Sequence, residues 1–191
     1  RVQSTAMLIG MAVGTVVEPA RLVAIDGASI RVPGPGRLHL QFRRFAGCPI
    51  CSLHLRSFAD RHAEVAAAGI TEVVFFHSAA EQLRGYQADL PFAVVADPRR
   101  EHYGRFGVET GVRSLLDPRS WPGIVRGGGQ WLAHHGDPRW AGVAESDDGT
   151  HLRLPADFLI DPDGSLAAVH YGAHADDQWS VDELLRINRA R

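Results

Sequence analysis

The two cysteines of this chain, Cys48 and Cys51, lie in Phe45-Ala46-Gly47-Cys48-Pro49-Ile50-Cys51 with the spacing of a redox dithiol. They fall where a predicted strand passes into a predicted helix. A helix start presents unpaired backbone N–H groups and the positive end of the helix dipole, so a thiol placed there ionises more readily than a free one. The thiolate is the nucleophile, and Cys48, at the helix start, is expected to fill that role. Cys51, one turn in, is expected to be more buried and to resolve a mixed disulfide or sulfenic acid formed on Cys48. Pro49 suits the first helical position, where no N–H is needed. Two buried apolar thiols and half of a zinc site are the competing readings, the second of them a metal centre. A zinc site needs further ligands, no second cysteine pair exists, and the ten histidines keep the option open.

Arg43 and Arg44 precede the cysteines. Side chains alternate along a strand, so at most one of the two points toward the thiols; stabilising a thiolate and forming a structural ion pair are both open to them. His54, three residues after Cys51, either shares its helical face as a proton shuttle or is an exposed helix residue. His77 ends the second core strand at the same sheet edge, where it can face substrate or satisfy the turn before Ser78. Asp161-Pro162-Asp163-Gly164 lacks the downstream spacing of a calcium loop and is read as a hairpin turn. Gly127-Gly128-Gly129 lacks the following Lys-Ser/Thr of a nucleotide phosphate loop. No cofactor and no resident metal are expected.

The elements that must position these residues follow from periodicity and turn chemistry. Residues 21–25 and 28–32 flank Asp26-Gly27, a two-residue hairpin signal. After Pro33-Gly34-Pro35-Gly36, the alternating run Leu38 to Phe42 reads as a strand leading to the cysteines. Leu55, Phe58, His62 and Val65 recur at helical spacing from Cys48 to about Ala68, and Gly69 closes that helix. Ile70 to Phe76 is β-branched and aromatic, and Ser78 with Glu81 forms a capping box for the next helix. Phe92 to Ala96 gives a third strand and Arg99 to Phe106 a short helix. Phe158 to Ile160 and Leu166 to Tyr171 form a hairpin, and Ser180 with Glu183 caps a terminal helix. This order predicts an α/β fold, a mixed sheet covered by helices on both faces, with the cysteines at the carboxyl end of the first core strand.

A chain of 191 residues with 45% hydrophobic content is expected to form one domain large enough to bury a core without staples. The net charge of -2 and the absence of a long basic run speak against a nucleic-acid partner. All twenty basic residues are arginine, which is read as coding bias. The apolar stretch Ala6 to Val17 is too short to span a membrane and ends at Glu18-Pro19. Two closely spaced cysteines in a chain of this size point to a reducing compartment, so a cytoplasmic location and no membrane association are expected.

Several segments together carry a family resemblance. They are the dithiol at its strand-to-helix junction, Leu90-Pro91-Phe92-Ala93-Val94-Val95-Ala96-Asp97-Pro98, Tyr103-Gly104-Arg105-Phe106-Gly107-Val108, and Leu154-Pro155-Ala156-Asp157-Phe158-Leu159-Ile160-Asp161-Pro162-Asp163-Gly164. They resemble the thioredoxin-like superfamily and, within it, the alkyl hydroperoxide reductase and thiol-specific antioxidant branch. Phe42-Arg43-Arg44-Phe45-Ala46-Gly47-Cys48 with Cys51 is similar to the peroxiredoxin-like proteins. The match covers roughly residues 37–110 and 152–188, leaving an N-terminal extension with its hairpin at 1–36 and an insertion at 111–151. The resemblance implies a thioredoxin fold with Pro155 as a cis-proline facing the dithiol and Leu154 offering backbone groups to a disulfide substrate. It also implies a peroxide or disulfide substrate and an external thiol reductant, either thioredoxin-like or of low molecular weight. Two departures bear on the chemistry. Gln41 and Phe45 stand where typical peroxiredoxins carry Pro and Thr, and Pro155 stands where they place an Arg, a charge that Arg43, Arg44 or Arg153 could replace in space. The family favours peroxide and the departures favour disulfide, so both remain open, as does a redox sensor or metal clip using the same pair. The Trp-rich insertion, with Trp121, Trp131 and Trp140, suits a lid, a homodimer contact or a structural flap.

Overall fold

The structure is a computed structural model that describes residues 10–108, 121–133 and 154–191. Arg153, Trp140 and most of the 111–151 insertion lie outside these residues. A five-stranded mixed sheet forms the centre, in the order β5-β4-β3-β6-β7, from β3 (Arg37–Phe42), β4 (Ile70–Phe76), β5 (Ala93–Ala96), β6 (Ala156–Ile160) and β7 (Leu166–Tyr171). β3, β4 and β5 run parallel, while β6 lies antiparallel to β3 and β7 antiparallel to β6. The β-branched and aromatic run Ile-Thr-Glu-Val-Val-Phe-Phe makes β4 an interior strand, buried at six of seven positions.

A separate ribbon of β1 (Ala20–Val23) and β2 (Ser29–Val32) turns at Asp26-Gly27, with Gly27 at φ +89°, as the hairpin signal requires. Beyond the ribbon, Ile25 N–H donates to Val94 O at 2.8 Å and so occupies part of the open edge of β5.

Two apolar cores lie on opposite faces of the sheet. On one face, α1 (Pro49–Asp60), α2 (His62–Ala67), α3 (Ala80–Gln87) and α6 (Val181–Arg189) bury Leu55, Phe58, Val65, Leu83, Leu184 and Leu185 against Val74, Phe76 and Leu159. On the other, α4 (Glu101–Arg105) and the ribbon bury Tyr103, Phe106, Leu22 and Val32 against Leu40, Phe42, Phe75 and Phe158. α5 (Trp121–Ala133) lies against α1.

The helix expected from Cys48 to Ala68 is broken. Arg61 leaves helical geometry at φ -111°, ψ 15°, and its N–H donates back to Phe58 O at 3.2 Å. Its guanidinium bridges Glu64 and Asp182, joining the break to α6. The Ser78–Glu81 capping box is also not formed: α3 is preceded by Ala79 and has no side-chain cap. Ser78 is diverted to the cysteine loop. Ser180 does cap α6, its Oγ accepting from Glu183 N–H at 3.2 Å. Among the described residues the cis X-Pro bond is Val32–Pro33, so the expectation of a cis Leu154–Pro155 is corrected.

Candidate active site

The dithiol loop is built from the end of β3. Arg43 N–H donates to Phe75 O at 2.9 Å, extending the parallel ladder one residue beyond the strand. Three groups then pin the loop. Tyr103 hydroxyl contacts Arg43 O and Phe75 O, His77 N–H reaches Arg44 O, and Ser78 Oγ accepts from Ala46 N–H at 2.8 Å. Gly47 takes φ +73°, a conformation that disfavours any residue with a Cβ, and delivers the chain to Cys48.

Cys48 is the N-cap of α1. Its sulfur occupies the place usually taken by a Ser or Asp oxygen and accepts from Cys51 N–H at 3.5 Å. Cys51 Sγ lies 2.7 Å from Cys48 Sγ and donates its thiol proton to it. Arg44 Nη1 stands 3.8 Å from the same sulfur, its guanidinium over the Phe45 ring. Both thiols are free and nearly enclosed, Cys48 at 1% and Cys51 at 2% exposure.

These contacts split the two thiols. Burial resists ionisation of Cys48, but the Cys51 thiol, the Arg44 charge and the N–H groups of Cys51 and Ile50 outweigh it and bring Cys48 down to about 6. Burial pushes Cys51 well up, reinforced by its donation to Cys48 and by the negative charge there. At neutral pH the arrangement is one thiolate held by one thiol.

Arg43 turns to the opposite side. It is fully buried beneath α1, with Nη2 at 2.7 Å from Asp157 Oδ1, 2.8 Å from Gln41 Oε1 and 3.2 Å from His54 Nε2. Asp157, on β6, also contacts His39 Nε2 at 3.1 Å and accepts from Trp179 N–H at 3.2 Å. Burial resists the charge of Asp157, yet Arg43 and His39 hold its carboxyl far below the usual range. Burial lowers both His39 and His54, and Arg43 adds to the lowering of each. A second buried link runs from Gln41 to Glu72, 3.5 Å away, and from Glu72 to His62, 2.7 Å away.

Of the residues singled out from sequence, the structure therefore gathers Cys48, Cys51 and Arg44. Arg43 is a structural ion pair. His54 is half-buried, with its Nε2 turned to Arg43. His77 is buried between the rings of Phe45 and Tyr103. Pro155 precedes β6, next to the Phe42–Ala156 pairing, and accepts from Gly172 N–H at 2.9 Å; it lines a cavity of about 220 Å³ with Val108 and Tyr171. Sequence reasoning missed the supporting roles of Asp157, Tyr103 and Ser78. An acid inside the apolar run Ala-Asp-Phe-Leu-Ile was the available signal for Asp157, because such a group must find a buried cation. Among the described residues, no three His, Cys, Asp or Glu side chains are grouped to hold a metal, and no helix is long and apolar enough to cross a membrane.

Comparison with known proteins adds the family. The pattern described as AhpC/TSA antioxidant enzyme matches residues 56–174, beginning five residues after Cys51. Among solved structures, peroxidoxin BcpB from Mycobacterium tuberculosis is 18% identical, with 94% of this chain and 97% of that one covered at a TM-score of 0.62. AhpC from Mycobacterium tuberculosis is 16% identical, with coverage of 95% and 93% and a TM-score of 0.64. A cysteine-to-serine variant of peroxiredoxin 6 from Arenicola marina is 16% identical, with coverage of 94% and 73% and a TM-score of 0.64. Comparison with curated protein sequences gave no match. The pattern covers more than half of the chain, which belongs to the AhpC/TSA family of antioxidant enzymes, and the solved structures share its fold.

Proposed function

We propose that the protein is a thiol peroxidase in which Cys48 thiolate attacks a small hydroperoxide and Cys51 resolves the product. The observation that carries this reading is the N-capping sulfur of Cys48 beside Arg44, 3.8 Å away. In the first step sulfur attacks the O–O bond and takes the distal oxygen. The leaving alkoxide or hydroxide takes up a proton, leaving Cys48 as the sulfenic acid. Arg44 is the cation placed to stabilise the thiolate before the step and the departing oxygen during it. Cys51 then displaces water from the sulfenic acid, forming the Cys48–Cys51 disulfide, and two equivalents of an external thiol restore the dithiol.

Burial favours peroxide over a protein disulfide. With 1% of Cys48 exposed, a diatomic O–O unit needs only a narrow path, whereas a disulfide must align three sulfurs at the nucleophile. Phe45 supports the opposite reading, since its buried ring brings no hydroxyl to hold peroxide. Stopped-flow oxidation of reduced protein by hydrogen peroxide and by a small disulfide, with mass spectrometry of the Cys48–Cys51 bond, separates the readings. Fast peroxide consumption with repeated turnover on added thiol supports the peroxidase. Rapid disulfide exchange with slow peroxide reaction makes it a disulfide reductase, and a single oxidation without cycling makes the pair a sensor.

A further inference from the structure

We propose that His54 is a positioning residue, locking the helix that carries the dithiol onto Arg43 and so fixing the distance between Cys48 and Arg44. This rests on the dithiol reading above but concerns how the site is held. Two bodies must be kept in register. One is the loop from Arg43 to Ala46, whose backbone is anchored to β4, Tyr103 and Ser78. The other is α1, which carries Cys48 and Cys51 at its amino end. Arg44 belongs to the first body and Cys48 sits at the junction of the two, so their separation depends on how α1 docks.

Arg43 connects them. Its backbone extends the ladder from β3, while its guanidinium lies under α1 and meets His54, one turn beyond Cys51. Asp157 and Gln41 hold the other directions of that guanidinium, so it cannot follow α1 if the helix slides. Arginine has only donors, so His54 Nε2 must be the acceptor and the ring must be neutral, with its proton on Nδ1. His39 is held in the complementary form: Asp157 accepts from Nε2, leaving Nδ1 unprotonated and buried without a partner. One ion pair therefore fixes two histidines in opposite tautomers. A neutral ring pressed on Arg43 serves as a fixed acceptor, a task different from proton transfer. The His54 ring also packs against Phe58, with ring centroids 5.0 Å apart and planes tilted by 48°, a second contact that restricts its rotation.

The test reads the ionisation of Cys48 in full-length reduced protein, without substrate, so that it is independent of turnover. His54→Leu removes the acceptor without changing net charge, and His54→Gln restores one through its amide oxygen. The expected result is a Cys48 midpoint raised by about one pH unit in His54→Leu, which is roughly tenfold less thiolate below the midpoint, and recovery in His54→Gln. Arg43→Lys, which also conserves charge, is expected to raise the midpoint because an ammonium cannot hold Asp157, Gln41 and His54 in one plane. Nitrogen-15 spectra of the wild type should show His54 as the Nδ1–H tautomer with no titration near neutral pH. A folded His54→Leu protein with an unmoved midpoint overturns the proposal, as does a His54 that titrates normally. Loss of peroxide turnover in the wild type would sink the peroxidase reading and leave this comparison intact.

Discussion

Replacing Arg44 with glutamine removes the cation beside Cys48 while keeping a hydrogen-bonding side chain of similar reach. At 3.8 Å, a unit pair interacts by about 4 kcal/mol at an effective dielectric of 20 and about 1 kcal/mol in bulk water. Divided by 1.36 kcal/mol per unit, these bounds raise the Cys48 midpoint by about 1 to 3 units. Arg44 is 3% exposed, which favours the larger value. Starting from about 6, the variant is expected to titrate between roughly 7 and 9. At pH 7 the thiolate fraction then falls from about 90% to between about 50% and 1%. The assay is the pH dependence of thiolate ultraviolet absorbance, with Cys51→Ser as background so that one sulfur is observed, alongside iodoacetamide alkylation and peroxide reaction over the same range. Both rates should track the absorbance. A folded Arg44→Gln protein whose midpoint stays with its parent would refute the assignment of Arg44 as the stabilising charge, leaving the helix terminus and the N–H groups as the source.

Other expectations follow from the same geometry. Cys48→Ser should abolish peroxide reduction, whereas Cys51→Ser should react once and accumulate sulfenic acid or a mixed disulfide on Cys48, seen by intact mass; the converse pattern would exchange the two roles. Ser78→Ala strands the buried Ala46 N–H and should cost about 1–3 kcal/mol in denaturant unfolding, with a raised Cys48 midpoint if the loop shifts. Stability should fall on acidification below about pH 6.5. His39 and His54 have folded values below the unfolded one, so the unfolded chain binds the extra protons, and stability present above about 6.5 is lost as pH decreases. Two such groups give a slope of up to about 2.7 kcal/mol per pH unit, and Cys48, also depressed, adds to the loss between about 8.5 and 6. A flat profile between pH 7 and 5 would contradict the lowering of the two histidines.

Local signals located most of the elements. The Asp26-Gly27 turn, the β-branched run of β4, Gly69 closing α2 at φ +77° and the Ser180 cap of α6 all depend on conformations that neighbouring residues dictate. Elsewhere a residue had more than one possible partner and tertiary geometry chose. Ser78 looked like a helix cap, but Ala46 N–H, 32 positions away in sequence, claims its oxygen. The alternating run Leu-His-Leu-Gln-Phe would suit a strand with one wet face. Here β3 is central, so His39 and Gln41 are buried and must meet Asp157 and Glu72 from other strands.

The sequence by itself determined the chemistry available: two thiols three residues apart at a strand-to-helix junction, with Cys48 on the helix terminus, because helix starts and turn glycines are written in a few consecutive residues. Which arginine stands beside Cys48 was decided only by the tertiary structure. Arg43 and Arg44 are identical in type and adjacent in sequence, and what separates them is Asp157, more than a hundred residues downstream, which draws Arg43 beneath α1 and leaves Arg44 beside Cys48. A buried charge must find its counter-charge wherever the fold places it.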